Sequence, residues 1–309
     1  MMATGPDVTS LVKDHNEVME PRVRPNARPL PESESASASM ETLRISFLGP
    51  FEVRDGNRLV RLTGMKQRAL LCWLALNPRT SVSVDALIAA LWGDASPSTA
   101  RAKVHTYVSE LRKALREVGQ GHAPGWPVLT FMGGYQLSDD VDLDSRRFQG
   151  NASEARQAGR LGDHARASRL FARALEIWRG PALADMVSCP IQAAANALNE
   201  ERLLAIEGKA EADIHLGWYD DVVAELSPLS AANPLRERLR GELMVALYRR
   251  GARNEALTVY RDGHQALTSE LGLPPSPQLR RLQQLVIRDD PALWNRSPND
   301  LLSMETTSA

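Results

Sequence analysis

Order in the hydrophobic pattern begins at Leu43. Leu43, Ile45 and Phe47 alternate with Arg44 and Ser46, the period of a half-buried strand. Gly49-Pro50 breaks the run, Phe51 and Val53 begin a second strand, and Asp55-Gly56-Asn57 has the composition of a hairpin turn. A third strand is expected over Leu59 to Leu62. The period then lengthens. Between Met65 and Leu76, the residues Ala69, Leu70, Trp73, Leu74 and Leu76 share one broad helical face, and Asn77-Pro78 ends it. Ser83 is placed to cap a second helix, Val84 to Leu91, closed by Trp92-Gly93. A third helix is predicted from about Ser98 to Val118, with Val104, Val108, Leu111 and Leu115 as its packing stripe. After a Gly- and Pro-rich break, Val128 to Met132 and Tyr135 to Leu137 read as two strands joined at Gly133-Gly134.

From Asp142 to about Ile287 the pattern is helical throughout. Gly217-Trp218-Tyr219 and Gly251-Ala252-Arg253 lie 34 residues apart, the tetratricopeptide period. Each precedes a helix with matching small or apolar offsets, Val222 and Leu226 in one and Ala256 and Tyr260 in the other. Gly162-Asp163-His164, followed by Ala167, Phe171 and Ala174, resembles a third such unit but stands 55 residues upstream, out of register. The alternative is an ordinary helical bundle with coincident spacing. Ahead of all this, residues 1–40 carry PRVRPNARPLP and then ESESASAS, a composition that buries too little apolar surface to offset the entropy of ordering. The expected organisation is a disordered tail over 1–40, one domain over 41–140, a helical-repeat domain over 141–290 and a flexible tail over 291–309.

Composition narrows the class. The chain has 309 residues, is 43% hydrophobic and 24% charged, and contains no apolar run long enough for a membrane span and no secretory leader. Its two cysteines, Cys72 and Cys189, cannot make a zinc site by themselves and fit a reducing cytoplasm. The net charge of -1 conceals an uneven distribution: Glu41 to Ser138 holds 12 Lys+Arg against 7 Asp+Glu. A basic segment joined to a mildly acidic one suggests that the first meets a polyanion.

The third helix focuses that suggestion. Opposite its apolar stripe stand Ala102, Lys103, Thr106, Ser109, Glu110 and Lys113. The early residues combine small size, hydrogen-bonding capacity and positive charge, as insertion into a major groove requires. Lys103, His105 and Thr106 are the candidate base contacts, with Thr99 at the start of the helix. Arg101, Arg112 and Lys113 are the candidate phosphate contacts. Lys66, Gln67 and Arg68 begin the first helix, where free backbone N–H groups, the helix dipole and two cations favour a phosphate. Three helices followed by a two-stranded wing with Gly-Gly-Tyr at its tip make a winged helix-turn-helix. In that wing Gly133 and Gly134 permit positive φ, and Tyr135 is a candidate contact to minor groove or phosphate. The predicted fold is therefore mainly α with a small β component: an N-terminal winged helix-turn-helix and a C-terminal all-α tetratricopeptide-like repeat domain.

Enzymatic signatures are missing from the sequence. The six His residues (15, 105, 122, 164, 215 and 264) show no HExxH or paired-ligand spacing, and there is no GxSxG elbow or GxxxxGK[ST] loop. No cofactor, catalytic residue or metal ligand is expected.

The segments RISFLGPFEVRDGNRLVRL, GMKQRALLCWLAL, VSVDALIAALWGD and STARAKVHTYVSELRKAL resemble the DNA-binding domain of the Streptomyces antibiotic regulatory proteins. VDLDSRRFQ and the closing LTSELGLPPSPQLRRLQQLVI are similar to that family's bacterial transcriptional activation domain, so the resemblance covers residues 43 to 288. It implies a response-regulator-like winged helix, binding to direct repeats of double-stranded promoter DNA as a homodimer, and recruitment of RNA polymerase holoenzyme through its sigma factor. It also implies activation of an antibiotic or other secondary-metabolite gene cluster. Glu110 departs from the family, which often has a basic residue there. Forty residues ahead of the domain are too few for a receiver domain. A helical-repeat scaffold whose winged helix serves protein contacts is the alternative, and it predicts no salt-dependent DNA binding.

Overall fold

The computed structural model describes residues 43–116, 126–186 and 189–303. The expected tail over 1–40 lies outside them. The first sheet contains β1 (Leu43–Ser46), β2 (Glu52–Asp55) and β3 (Arg58–Leu59), antiparallel in sequence order. The third strand is thus shorter and earlier than Leu59 to Leu62, with one further in-register bond, Val60 N to Val53 O at 2.9 Å, beyond its last residue. The helical unit follows as α1 (Met65–Leu76), the two-residue strand β4 (Val82–Ser83), α2 (Val84–Trp92) and α3 (Ala100–Arg116). Ser83 Oγ accepts from Ala86 N at 3.1 Å, the cap its position predicted. On α3, Val104, Val108, Leu111 and Leu115 are all buried. Its predicted last residues, 117 and 118, fall outside the described residues.

The wing is β5 (Val128–Phe131) and β6 (Gly134–Leu137), and β4 adds to the outer side of β6, giving the order β4-β6-β5. The sequence pattern did not reveal β4, since two residues carry no period. β7 (Asp142–Leu143) was also expected to be helical. It pairs parallel to β1, so the first sheet runs β3-β2-β1-β7 and ends on the segment that leads into the second domain.

Helices α4 (Asp144–Arg160) and α5 (His164–Leu175) make the first helical pair, α6 (Cys189–His215) and α7 (Tyr219–Ala232) the second, and α8 (Glu237–Arg249) and α9 (Arg253–Leu271) the third. Each pair turns at a glycine with positive φ: Gly162 at 80°, Gly217 at 80° and Gly251 at 90°. In each turn the next N–H reaches back to the fifth residue before it: Asp163 to Ala158, Trp218 to Asp213 and Ala252 to Leu247, at 2.8–3.0 Å. The out-of-step first unit has a physical origin. The segment after α5 makes a detour to the first sheet, and α6 is 27 residues long where α8 has 13. α10 (Pro277–Arg288) is capped by Ser276 and followed by α11 (Ala292–Asn295) and α12 (Pro298–Ser303). Residues 291–303, expected within a flexible tail, thus include two short helices whose Leu293 and Leu301 are buried in the second core. Residues 304–309 lie outside the described residues.

The two domains share a core. Phe47, Leu48, Leu70, Leu74 and Leu111 belong to the same buried cluster as Phe148, Phe171, Trp178, Leu183 and Ile191. Polar groups close the joint. Asp144 Oδ2 accepts from Phe47 N at 2.8 Å and Leu48 N at 2.9 Å, while Leu183 N donates to Gly49 O at 2.7 Å. Arg179 N donates to Leu48 O and its guanidinium to Pro50 O, both at 2.8 Å. No helix among the described residues is long and apolar enough to cross a membrane.

Candidate nucleic-acid interface

The exposed side of α3 carries Arg101, Lys103, Lys113 and Arg116, with Arg112 half-buried and Glu110 the helix's one carboxylate. No acidic residue stands in its first turn. Lys103 projects without a partner among the described residues, as do Lys113 and Arg116. Arg101 forms an ion pair with Asp85 in the first turn of α2, and both side chains stay well exposed. Thr106 Oγ1 donates to Ala102 O of its own helix at 3.1 Å, which leaves its methyl and lone pairs outward. Thr99 is exposed, and its carbonyl accepts from Lys103 N at 3.0 Å to begin the helix. Arg116 is the cation that the sequence reading passed over. It continues the same charged side one turn beyond Arg112.

Three of the expected contacts instead fasten the wing to this helix. His105 Nδ1 lies 2.6 Å from the Tyr135 hydroxyl. Arg112 donates through Nε to Val128 O at 2.7 Å and through Nη2 to Thr130 Oγ1 at 2.9 Å, with its guanidinium 5.8 Å from the centre of the Tyr135 ring. Tyr135 is buried beneath them, not at the tip. The tip is Met132-Gly133, with φ of 45° and 77°, the paired positive values of a tight hairpin turn. Gly134 has ordinary φ and is needed for another reason: a Cβ there would collide with the Val82 carbonyl oxygen of β4. The tip therefore exposes Phe131 at 50% and Met132 at 90%, an apolar end that the glycine pair in the sequence did not announce.

The start of α1 is occupied from within. Lys66 Nζ donates to Leu91 O at the end of α2 and sits 5.4 Å from the Trp92 ring. Gln67 donates to the Glu110 carboxylate, so the family-atypical acid on α3 is held by a neighbour. Arg68 donates to Phe51 O at 3.0 Å and pairs with Asp185, bridging helix, first sheet and the second domain. Cys72, behind this turn, is fully buried, and burial pushes its thiol far above the usual value, so it is inert at neutral pH. Among the described residues no group of three or more His, Cys, Asp or Glu is placed to hold a metal ion.

A winged helix whose third helix is open and acid-free in its first turn, built onto a tetratricopeptide-like domain through a shared core, defines a class: the bacterial transcription regulators with a response-regulator-type effector domain. Comparison with known proteins agrees. Residues 57–136 match the family "Transcriptional regulatory protein, C terminal" and residues 143–287 match "Bacterial transcriptional activator domain". The regulatory protein DnrI of Streptomyces peucetius is 34% identical over 261 residues, covering 83% of this chain and 96% of the relative. The regulatory protein AfsR of Streptomyces coelicolor is 42% identical over 278 residues, covering 88% of this chain but only 27% of AfsR. The solved structure of EmbR from Mycobacterium tuberculosis, in complex with a low-affinity phosphopeptide, superposes with a TM-score of 0.77 at 38% identity, covering 81% of this chain and 66% of that one. The chain belongs to the Streptomyces antibiotic regulatory protein family of transcriptional activators.

Proposed function

We propose that the protein is a sequence-specific transcription activator. Protomers occupy adjacent direct repeats of promoter DNA as a homodimer, each with α3 in a major groove. The assembled pair recruits RNA polymerase holoenzyme through its sigma factor and so switches on an antibiotic or other secondary-metabolite gene cluster. The observation that carries this reading is the first half of α3, exposed, free of carboxylates and bearing Lys103 and Thr106 toward solvent. Small and cationic side chains there admit close approach to base edges. Lys103 and Thr106, with Thr99 at the start of the helix, are assigned to base readout. Arg101 and Lys113 are assigned to phosphates. His105, Arg112, Gly134 and Tyr135 hold the wing at a set angle to the helix, and Lys66, Gln67 and Arg68 hold α1 in place. The family match and the regulatory names of AfsR and DnrI support the same role.

The test is a mobility shift on the promoters of the neighbouring gene cluster, with random competitor DNA and a salt series. Competitor-resistant shifts that weaken steeply with salt are expected. Folded protein that shifts no duplex would transfer the role of the winged helix to protein contacts, as in a helical-repeat scaffold.

A further inference from the structure

A cavity of about 890 Å³ lies in the second domain between α4, α5 and α6, far along the chain from α3. Its size falls within the range of pockets that enclose a drug-sized ligand. Small side chains at Ala152, Ala155 and Ala212 line the space, and the rings of Phe148 and Phe171 lie behind them, 1% and 3% exposed. Leu204 hangs over it half-exposed.

The charges around this cavity are uneven in their partners. Glu201 accepts from Gln149 Nε2 at 3.1 Å, and the Glu211 carboxylate lies 3.4 Å from Arg238 Nη2, so both lining acids are engaged. Arg156 and Arg160 stand one turn apart on α4, both exposed, and neither has an ion-pair or hydrogen-bond partner among the described residues. Two like charges at this spacing repel one another, so the helix gains nothing from them locally. His164, at the start of α5, adds a ring at the same end, stacked on His215 with 3.9 Å between centroids.

We propose that this cavity is a binding site for a small organic anion with an apolar body. The body lies beneath Leu204 against the wall of small residues that includes Gly159 and Gly208, and the acid group is held between Arg156 and Arg160. Arg238 offsets Glu211, and Glu201, bonded to the neutral Gln149 amide, is the one lining charge set against the two free arginines, so the balance that such a ligand meets is positive. A neutral apolar molecule would leave both guanidinium groups unanswered, and a free inorganic anion would leave the apolar side of Leu204 wet.

Anilinonaphthalene sulfonate has this chemistry and reports its own binding by fluorescence. With the full chain it should saturate as a single site. The double variant Arg156→Ala/Arg160→Ala should bind it at least about tenfold more weakly, since both charge-assisted contacts are removed and one alone accounts for about that much. The same variant should bind phenylnaphthylamine, which lacks the sulfonate, as the unaltered protein does. Ser153→Trp, an exposed position on the cavity rim, should block both probes. Circular dichroism establishes that each variant is folded, and Arg156→Gln/Arg160→Gln replaces the alanine pair if that pair is not. Absence of saturable sulfonate binding, or binding that neither the arginine nor the Ser153 substitution alters, would overturn the proposal.

Discussion

The first turns of α1 and α3 each carry two cations two residues apart, Lys66 and Arg68 in one and Arg101 and Lys103 in the other. Both begin helices, where exposed amides and the helix dipole favour an anion. The side chains of α1 nevertheless turn inward, onto Leu91 O, Phe51 O and Asp185, while Lys103 stands clear and Arg101 is held only by an exposed carboxylate. What separates the two turns is their surroundings. α1 packs against α2, α3, β6 and α6, so a carbonyl or acid lies within reach of every long side chain near its start. The first turn of α3 follows a loop, and the contact of its cations among the described residues is the ion pair of Arg101 with Asp85 in the first turn of α2. Cations of the same kind are thus tied down in one case, Lys66 to α2 and Arg68 to the first sheet and the second domain, and left open to solvent in the other.

The largest effect that separates them is on stability. Arg68→Ala removes a bond to the Phe51 carbonyl and leaves Asp185, which also accepts from Phe51 N at 2.8 Å, without its cation. A loss of about 2 kcal/mol is expected in urea unfolding, given the partly buried carbonyl left without its donor. The folded variant should keep its discrimination between target and random DNA. If Arg68→Ala spared stability and weakened DNA binding, the assignment of α1 to the joint would fail.

The converse holds for α3. Lys103→Ala should leave the unfolding midpoint in place and narrow the ratio of target to random affinity about tenfold, the value of one direct base contact. Lys113→Ala should weaken both affinities together and lower the salt slope by about one. Equal losses on target and random DNA for Lys103→Ala would move Lys103 to the phosphates.

How much of this was legible beforehand depends on the range of each contact. The stripe of Val104, Val108, Leu111 and Leu115, the Ser83 cap and the three glycine turns of the repeats are set by neighbours within a few residues, and all stand as the pattern indicated. Arg112 meets Val128, Lys66 meets Leu91 and Arg68 meets Asp185, at separations of 16, 25 and 117 residues. No local period encodes such partners, so these residues read as free cations. The wing shows the same limit within one hairpin. Two glycines suggested a turn at Gly133-Gly134, but pairing of β6 with β4 requires Gly134 as a strand residue and moves the turn to Met132-Gly133. The residue types on the exposed side of α3 and in the wing were legible, and their division into free side chains and fasteners was not.

The joint also predicts a pH effect. Burial pushes the Asp144 carboxyl above its ordinary value, against the pull of the Leu48 and Phe47 amides and of Arg179. The folded protein therefore takes up this proton more readily than the unfolded chain does. Stability linked to Asp144 is fully present below its ordinary value of 3.8 and is lost as pH rises through the folded value. Relative to Asp144→Asn, the unaltered protein should gain in urea midpoint as the pH falls from neutral toward that value. A difference between the two that is constant over this range would mean that the carboxyl is not titrating against its burial.

The smallest effect sharpens the comparison most closely, because it asks whether the lightly held cation of α3 is held at all. Asp85→Ala removes the carboxylate that pairs with Arg101, a pair in which both side chains are mostly exposed. Such a pair contributes little, and the midpoint should shift by no more than about 0.5 kcal/mol. DNA affinity should instead rise about twofold at low salt, because Arg101 is released and a negative charge leaves the groove-facing side, and the gain should fade as salt increases. The double variant Asp85→Ala/Arg101→Ala should lose the gain. If Asp85→Ala left affinity unchanged at every salt concentration, Arg101 would lie off the path of the DNA backbone. The contrast between α1 and α3 would then rest on Lys103 alone.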